Sequence, residues 1–232
     1  GKAIGATAVA GVTYAWTPTT GLSDAAIANP TANPTATTTY TVTATDTTSG
    51  CTATDTVVVT VDTEVPAATA GDDFTKTCTS NASGKAIGAT AVAGVTYGWT
   101  PTTGLSDAAI ANPTANPTAT TTYTVTATDT TSGCTATDTV VVTVNLATPT
   151  ANAGTDFSIS CSLNNGGLQI GSAAEAGTNY SWTPSAGLSF DVISNPTANP
   201  TVTTTYTVTA TNKVSGCTAT DTVVVTVDTE VP

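Results

Sequence analysis

The chain has 232 residues, 4 Lys+Arg against 16 Asp+Glu and no His, for a net charge of −12. Its only cations are Lys2, Lys76, Lys85 and Lys213, too few to neutralise a phosphate backbone, so nucleic-acid binding is excluded. Without His, neither Ser–His–Asp nor Cys–His catalysis nor the usual zinc and iron ligand sets can be assembled, and no apolar run approaches the ~20 residues of a membrane span.

Met is absent as well, so the sequence reads as a mature segment or fragment. From its start, Gly1-Lys-Ala-Ile-Gly-Ala returns as Gly84-Lys-Ala-Ile-Gly-Ala, and in diverged form as Gly167-Leu-Gln-Ile-Gly-Ser, each time 83 residues on. Trp16, Trp99 and Trp182 keep that offset, as do Tyr40, Tyr123 and Tyr206, and Cys51, Cys134 and Cys217. Residues 1–62 and 84–145 differ only at Ala15/Gly98 and Asp62/Asn145, which implies recent tandem duplication. A period of 83 exceeds the about 20–50 residues of a solenoid unit and suits a small self-contained domain. Cutting at prolines predicts domains at 1–66, 67–149 and 150–232. The first lacks the 17 residues matching Ala67–Ser83, an opening strand expected from upstream or from another chain.

Within the second repeat, strands are predicted near Thr75–Thr79 and over Lys85–Val92. Val95-Thr-Tyr-Gly-Trp99 alternates, so Val95, Tyr97 and Trp99 share a face. Pro101 and Gly104 break that run, and the Asn112-Pro and Asn116-Pro pairs flank a short edge piece. Thr122–Thr128 places Tyr123, Val125 and Ala127 on one side and threonines on the other. Thr130–Gly133 is a turn, and Cys134–Val144 carries Ala136, Val140, Val142 and Val144 in phase. Six or seven short strands per repeat and no helical period read as a β-sandwich. Thr occupies 61 positions; it is β-branched, fits a pleated surface and keeps the outer face soluble without charge.

A core of one Trp, two Tyr, one Phe and a few aliphatics in about 83 residues is marginal by burial alone, so a covalent staple is expected. Cys78 and Cys134 are 56 apart, as are Cys161 and Cys217, while Cys51 has no counterpart in the chain. This arithmetic predicts Cys78–Cys134 and Cys161–Cys217 disulfides, one per domain, with Cys51 unpaired. Such bonds imply an oxidising, extracellular location and would tie each domain's entrance to its exit, as suits a domain that carries tension.

Tyr97-Gly-Trp-Thr-Pro101, Gly104-Leu-Ser-Asp107, Ile110-Ala-Asn-Pro113, Thr121-Thr-Tyr-Thr-Val-Thr126 and Gly133-Cys-Thr-Ala-Thr-Asp-Thr-Val140 resemble the PKD-like, immunoglobulin-like tandem repeats of secreted surface proteins. Such repeats are common in Bacteroidota, in gliding-motility adhesins and in cargo of the type IX secretion system. Ala151-Asn-Ala-Gly-Thr-Asp156 resembles that family's opening strand. The Trp-Thr-Pro run departs from PKD domains proper, which often carry an acidic, glycine-rich turn there. The resemblance implies spacers and stalks on the cell surface.

Several local features were weighed as sites. Asp-Thr pairs resemble the Asp-Ser/Thr-aliphatic O-glycosylation signal of Bacteroidota and make Thr47, Thr130, Thr56, Thr139 and Thr222 candidates, the turn residues Thr47 and Thr130 being the most accessible. Asp62 and Glu64 fail as a general linker calcium site, because the second junction has Asn145 and Ala147. Asp72, Asp73 and Asp156 could hold a cation with neighbouring carbonyls. Lys85 could form an isopeptide bond, but its third-repeat counterpart is Leu168. Trp99 and its copies are read as core rather than as sugar-stacking platforms. The expected function is a structural array outside a bacterial cell, forming a rod, stalk or filament for adhesion or cohesion, with neither enzymatic activity nor cofactor. Its expected partners are copies of itself, adjoining repeats and glycans. Strand donation between chains is a variant of that reading, and an adhesin or carbohydrate-binding module that spaces a functional domain from the surface is the alternative.

Overall fold

The computed structural model describes residues 1–229; the end of the third expected domain, 230–232, lies outside the described residues. The chain divides into two compact units, one of Gly1–Ala67 with Ala93–Thr96 and Ala127–Ala136, the other of Ala68–Val92, Tyr97–Thr126 and residues from Thr137 on. The described residues form strands, turns and loops only, with no helix.

The first repeat contains β1 (Lys2–Ala3), β2 (Val12–Thr17), β3 (Thr31–Ala32), β4 (Thr38–Asp46) and β5 (Thr52–Val59). The second contains β6 (Phe74–Lys76), β7 (Lys85–Ala86), β8 (Val95–Thr100), β9 (Thr114–Ala115), β10 (Thr121–Asp129) and β11 (Thr135–Val144). The third follows with β12 (Phe157–Ile159), β13 (Leu168–Gln169), β14 (Thr178–Thr183), β15 (Thr197–Ala198), β16 (Thr204–Asn212) and β17 (Thr218–Val227).

In the third repeat a four-stranded sheet runs β12-β17-β16-β14, and the second repeats this order as β6-β11-β10-β8. The opening strand is parallel to the end of the last: Phe157–Ile159 lie beside Val225–Val227, and Phe74–Lys76 beside Val142–Val144. Facing each large sheet is a minimal one, β13-β15 or β7-β9, extended by the bridges Leu188↔Ala198 and Leu105↔Ala115. These are tandem immunoglobulin-like β-sandwiches, one layer much longer than the other.

Alternation explains the long strands. In β10, Tyr123, Val125 and Ala127 are buried, and in β11, Val140 and Val142 complete the same face. Trp99 is 2 % exposed, and its indole N–H donates to the Ile110 carbonyl at 2.9 Å. The Tyr123 hydroxyl donates to the Thr103 carbonyl at 2.8 Å, which makes a tyrosine corner at the start of β10. The first and third repeats keep both devices: Trp16 to Ile27 and Trp182 to Ile193, Tyr40 to Thr20 and Tyr206 to Ala186. The outward face carries a threonine lattice. Thr41, Thr43 and Thr45 of β4 lie opposite Thr56, Thr54 and Thr52 of β5, and Thr207, Thr209 and Thr211 of β16 opposite Thr222, Thr220 and Thr218 of β17.

Two strand expectations shorten. The strand expected over Lys85–Val92 ends at Ala86, because Gly88 adopts φ +80°. A Cβ at Gly88 would fall 2.0 Å from the Ala111 carbonyl oxygen, so the backbone approaches another segment where no side chain fits. The strand expected near Thr75–Thr79 ends at Lys76, because the Thr77 hydroxyl accepts the amides of Thr79 and Ser80 and turns the chain.

Candidate functional site: the entry segment, the clasp and an open groove

Each later repeat opens with the pattern Ala-x-Ala-Gly-x-Asp-Phe, at Ala68–Phe74 and at Ala151–Phe157. Ala70 and Ala153 are fully buried. The Ala70 amide donates to Asp138 Oδ2 and its carbonyl accepts from Gly88 N, both at 2.8 Å; Ala153 repeats this with Asp221 and Gly171. The next acid works in reverse: Asp73 Oδ1 accepts the Val141 amide and Asp156 Oδ1 accepts the Val224 amide, each at 2.8 Å. A pair of carboxylates therefore pins the entry segment along the last strand. The Ala70 N–H, followed by that of Thr139, holds the Asp138 carboxyl below the usual carboxylate range.

The inward phase of β11 holds Ala136, Asp138, Val140 and Val142. Sequence reasoning passed over Asp138 there. Its signal was legible as an acid in the apolar phase of an alternating strand, a place where a carboxylate needs donors. The acids weighed as cation ligands are largely committed. Asp73 and Asp156 hold backbone amides, and Asp62 Oδ1 accepts the Glu64 amide at 3.0 Å. Among the described residues no group of three His, Cys, Asp or Glu is placed to hold a metal. The Lys85 ammonium sits over the Phe74 ring, 5.2 Å from its centroid.

The disulfide differs from both expected pairs. Cys78 is bonded to Cys217, and Cys51, Cys134 and Cys161 are free. Register explains the correction. Cys161 follows β12, which lies beside the end of β17, whereas Cys217 precedes the start of β17. Ten residues at ~3.3 Å each separate those two ends by about 33 Å, against the 4.4–6.8 Å between Cα atoms that a disulfide requires. The parallel register of β6 with β11 imposes the same separation in the second repeat. Equal spacing within a repeat was therefore misleading: the parallel opening strand puts the two cysteines at opposite ends of the sandwich.

The bond that forms is a clasp between consecutive repeats, with 5.1 Å between its Cα atoms. The turn that carries Cys217 is docked by further contacts. Ser215 Oγ donates to the Ala147 carbonyl at 2.6 Å, and the Cys78 amide donates to the Ser215 carbonyl at 3.1 Å. Gly216 is at φ +67°, and a Cβ there would lie 2.5 Å from Thr79 Oγ1, so only glycine admits this approach. Asn212 Oδ1 accepts the amides of Val214 and Ser215 and fixes the turn. The corresponding turn of the second repeat is built alike: Asp129 Oδ1 accepts from Thr131 and Ser132, and Ser132 Oγ donates to the Glu64 carbonyl at 3.3 Å.

In the first repeat, Gly5, Tyr14, Trp16, Val42, Asp55 and Val57 line an open groove of about 450 Å³. The sheet has three strands, β2-β4-β5, and β5 stops at Val59, two residues short of the position where β11 and β17 end. Val57 and Val42 are half-buried, whereas Val140, Val223, Val125 and Val208 are fully buried.

The candidate glycosylation threonines Thr47, Thr130, Thr56, Thr139 and Thr222 are all exposed. Two of their hydroxyls are engaged: Thr47 Oγ1 donates to the Gly11 carbonyl and Thr130 Oγ1 to the Gly94 carbonyl, both at 2.9 Å.

No protein-family model matches the chain, and no curated protein sequence matches it. Among solved structures it is similar to the titin I-band fragment I67–I69 (11 % identity, 96 % of this chain and 90 % of that one, TM-score 0.46). It is also similar to extracellular cadherin domains 1–4 of protocadherin gamma B7 (13 %, 94 % and 67 %, TM-score 0.41). A third is the three N-terminal domains of the highly immunogenic outer capsid protein of bacteriophage RB49 (13 %, 94 % and 89 %, TM-score 0.39). The immunoglobulin-like assignment rests on strand order, the buried Trp and the tyrosine corner.

Proposed function

We propose that this chain is a structural repeat segment of an extracellular bacterial surface protein, whose tandem sandwiches form a rod, stalk or filament. The observation that supports this best is the Cys78–Cys217 clasp, which joins two consecutive repeats instead of closing one. A bond within a sandwich stabilises that sandwich. A bond between sandwiches limits how far the joint yields under load, a property useful to a cohesive array and irrelevant to chemistry in a pocket. The units are domains at 1–66, 67–149 and 150–232, of the PKD-like kind the motifs resemble. The outward threonines suit close packing against adjoining repeats or copies of the chain. Thr47, Thr130, Thr56, Thr139 and Thr222 are the proposed O-glycan attachment points, with Thr56, Thr139 and Thr222 favoured because the hydroxyls of Thr47 and Thr130 are already bonded. Bacteroidota and type IX export are the proposed origin and route.

Force spectroscopy tests the proposal. The clasp encloses a sequence separation of 139 residues. At about 3.3–3.6 Å per residue, reductant releases roughly 460–500 Å of extra length when the chain is pulled from its ends. Equal unfolding lengths with and without reductant would remove the clasp from the load path, and the structural reading with it.

A further inference from the structure

The open groove of the first repeat is lined by residues that, in the second repeat, face the entry segment. Asp55 corresponds to Asp138, whose carboxylate takes the Ala70 amide. Gly5 corresponds to Gly88, whose amide is bonded to the Ala70 carbonyl. Val58, 59 % exposed, corresponds to Val141, whose amide is held by Asp73. Lys2 corresponds to Lys85, which sits over Phe74. Asn33 and Pro34 correspond to Asn116 and Pro117, whose oxygens accept from the buried Lys76 ammonium. A second opening of about 470 Å³, lined by Lys2–Gly5 and Val57–Thr60, continues the groove along β5, where β6 lies beside β11. Every donor, acceptor and apolar wall that seats the entry segment is thus present and uncovered among the described residues of the first repeat.

We propose that this groove is a docking site for an extended peptide segment of the Ala-x-Ala-Gly-x-Asp-Phe class, contributed by another polypeptide that carries the same repeat. The segment lies parallel to the end of β5. It places its second Ala between Asp55 and Gly5, turns through its Gly, presents its Asp to the Val58 amide and lays its Phe beneath Lys2. Backbone pairing along β5 supplies affinity, and the small Ala and Gly side chains supply selectivity, because larger ones do not fit against Trp16 and the Gly5 backbone. The second and third repeats, covered by their own entry segments, are not receptors. This inference concerns one surface and stands whether or not the array is a surface stalk.

The test uses the whole chain and a synthetic peptide of sequence Ala67–Thr77, Ala-Ala-Thr-Ala-Gly-Asp-Asp-Phe-Thr-Lys-Thr. Titration followed by backbone amide NMR is expected to show one site, with shifts at Gly5, Val57 and Val58 and none at Gly88, Val140 and Val141. In the peptide, replacing the second Ala of the pattern, Ala70→Trp, is expected to abolish binding. In the chain, Asp55→Ala is expected to weaken binding about tenfold, the worth of one hydrogen bond to a charged acceptor, with an unchanged apo spectrum elsewhere. Self-association of the chain that the peptide competes away also supports the proposal, since a second copy then donates the segment. No saturable shifts, shifts outside the first repeat, or binding indifferent to both Ala70→Trp and Asp55→Ala would overturn it. So would seating only when Ala67–Ser83 is fused ahead of Gly1, because the donor would then not be another polypeptide.

Discussion

Residues 1–62 and 84–145 differ at two positions, yet their inner faces are finished differently. In the second repeat Val125, Val140 and Val142 are fully buried under the entry segment. In the first, Val42, Val57 and Val59 are half-buried and β5 is two residues shorter than β11. Neither Ala15/Gly98 nor Asp62/Asn145 lies among these valines, so the contrast does not come from composition. It comes from roughly ten residues of extended chain, Ala67–Lys76, which cover one sheet face and supply the parallel partner strand. Near-identical sequence therefore yields a closed sandwich or an open one according to whether that short segment is in place.

The strongest way to sharpen the contrast is mechanical. Cys78→Ser or Cys217→Ser is expected to give, without reductant, the full roughly 460–500 Å of additional extension that reductant gives the parent chain. Cys51→Ser, in the open repeat, is expected to change nothing in the same pulling experiment. Next in size is the turn glycine. Gly216→Ala meets both a left-handed backbone and the Thr79 side chain, and is expected to cost about 2–3 kcal/mol; Gly133→Ala meets only the backbone and is expected to cost about 1–2 kcal/mol, read by denaturant titration.

Core truncation separates the repeats more directly. Val140→Ala is expected to destabilise the closed second repeat by about 2 kcal/mol, and Val57→Ala the open first repeat by less than about 1 kcal/mol, because a half-buried side chain leaves a smaller cavity. Hydrogen exchange resolved by peptide distinguishes the two. Asp138→Ala is expected to cost about 1 kcal/mol through the lost Ala70 bond, and Asp55→Ala close to nothing in the free chain. The smallest effect is acid sensitivity. The Asp138 carboxyl is held below its ordinary value in the folded state, so its contribution is fully present above the ordinary carboxylate pKa of about 4 and fades as pH falls through the lowered value. Acid unfolding of the second repeat should lose that part of its pH dependence in Asp138→Ala; a slope identical to the parent's would show that the bond to Ala70 carries no linkage.

The long strands were legible because alternation over Val95–Trp99, Thr122–Thr128 and Thr135–Val144 is local and strong. The buried Trp and Tyr positions followed from the same phase. What was not legible depends on how distant segments meet. The end of the strand at Ala86 is set by the closeness of the Ala111 carbonyl to Gly88, which no local pattern encodes. The cysteine partners depend on the parallel sense of the opening strand, and a spacing of 56 fits an antiparallel neighbour equally well. Asp138 left a readable trace, an acid in an apolar phase, but its partner lies 68 residues away.

The threonine lattice on the outer sheet face has one more consequence. Rows such as Thr41–Thr56, Thr43–Thr54 and Thr45–Thr52 expose hydroxyls and methyls and no ionisable group. Such a surface has nothing to protonate and nothing for dissolved ions to screen. Contacts made through it keep their strength from fresh water to brine and across neutral pH, so cohesion through this face is indifferent to the chemistry of the surrounding medium.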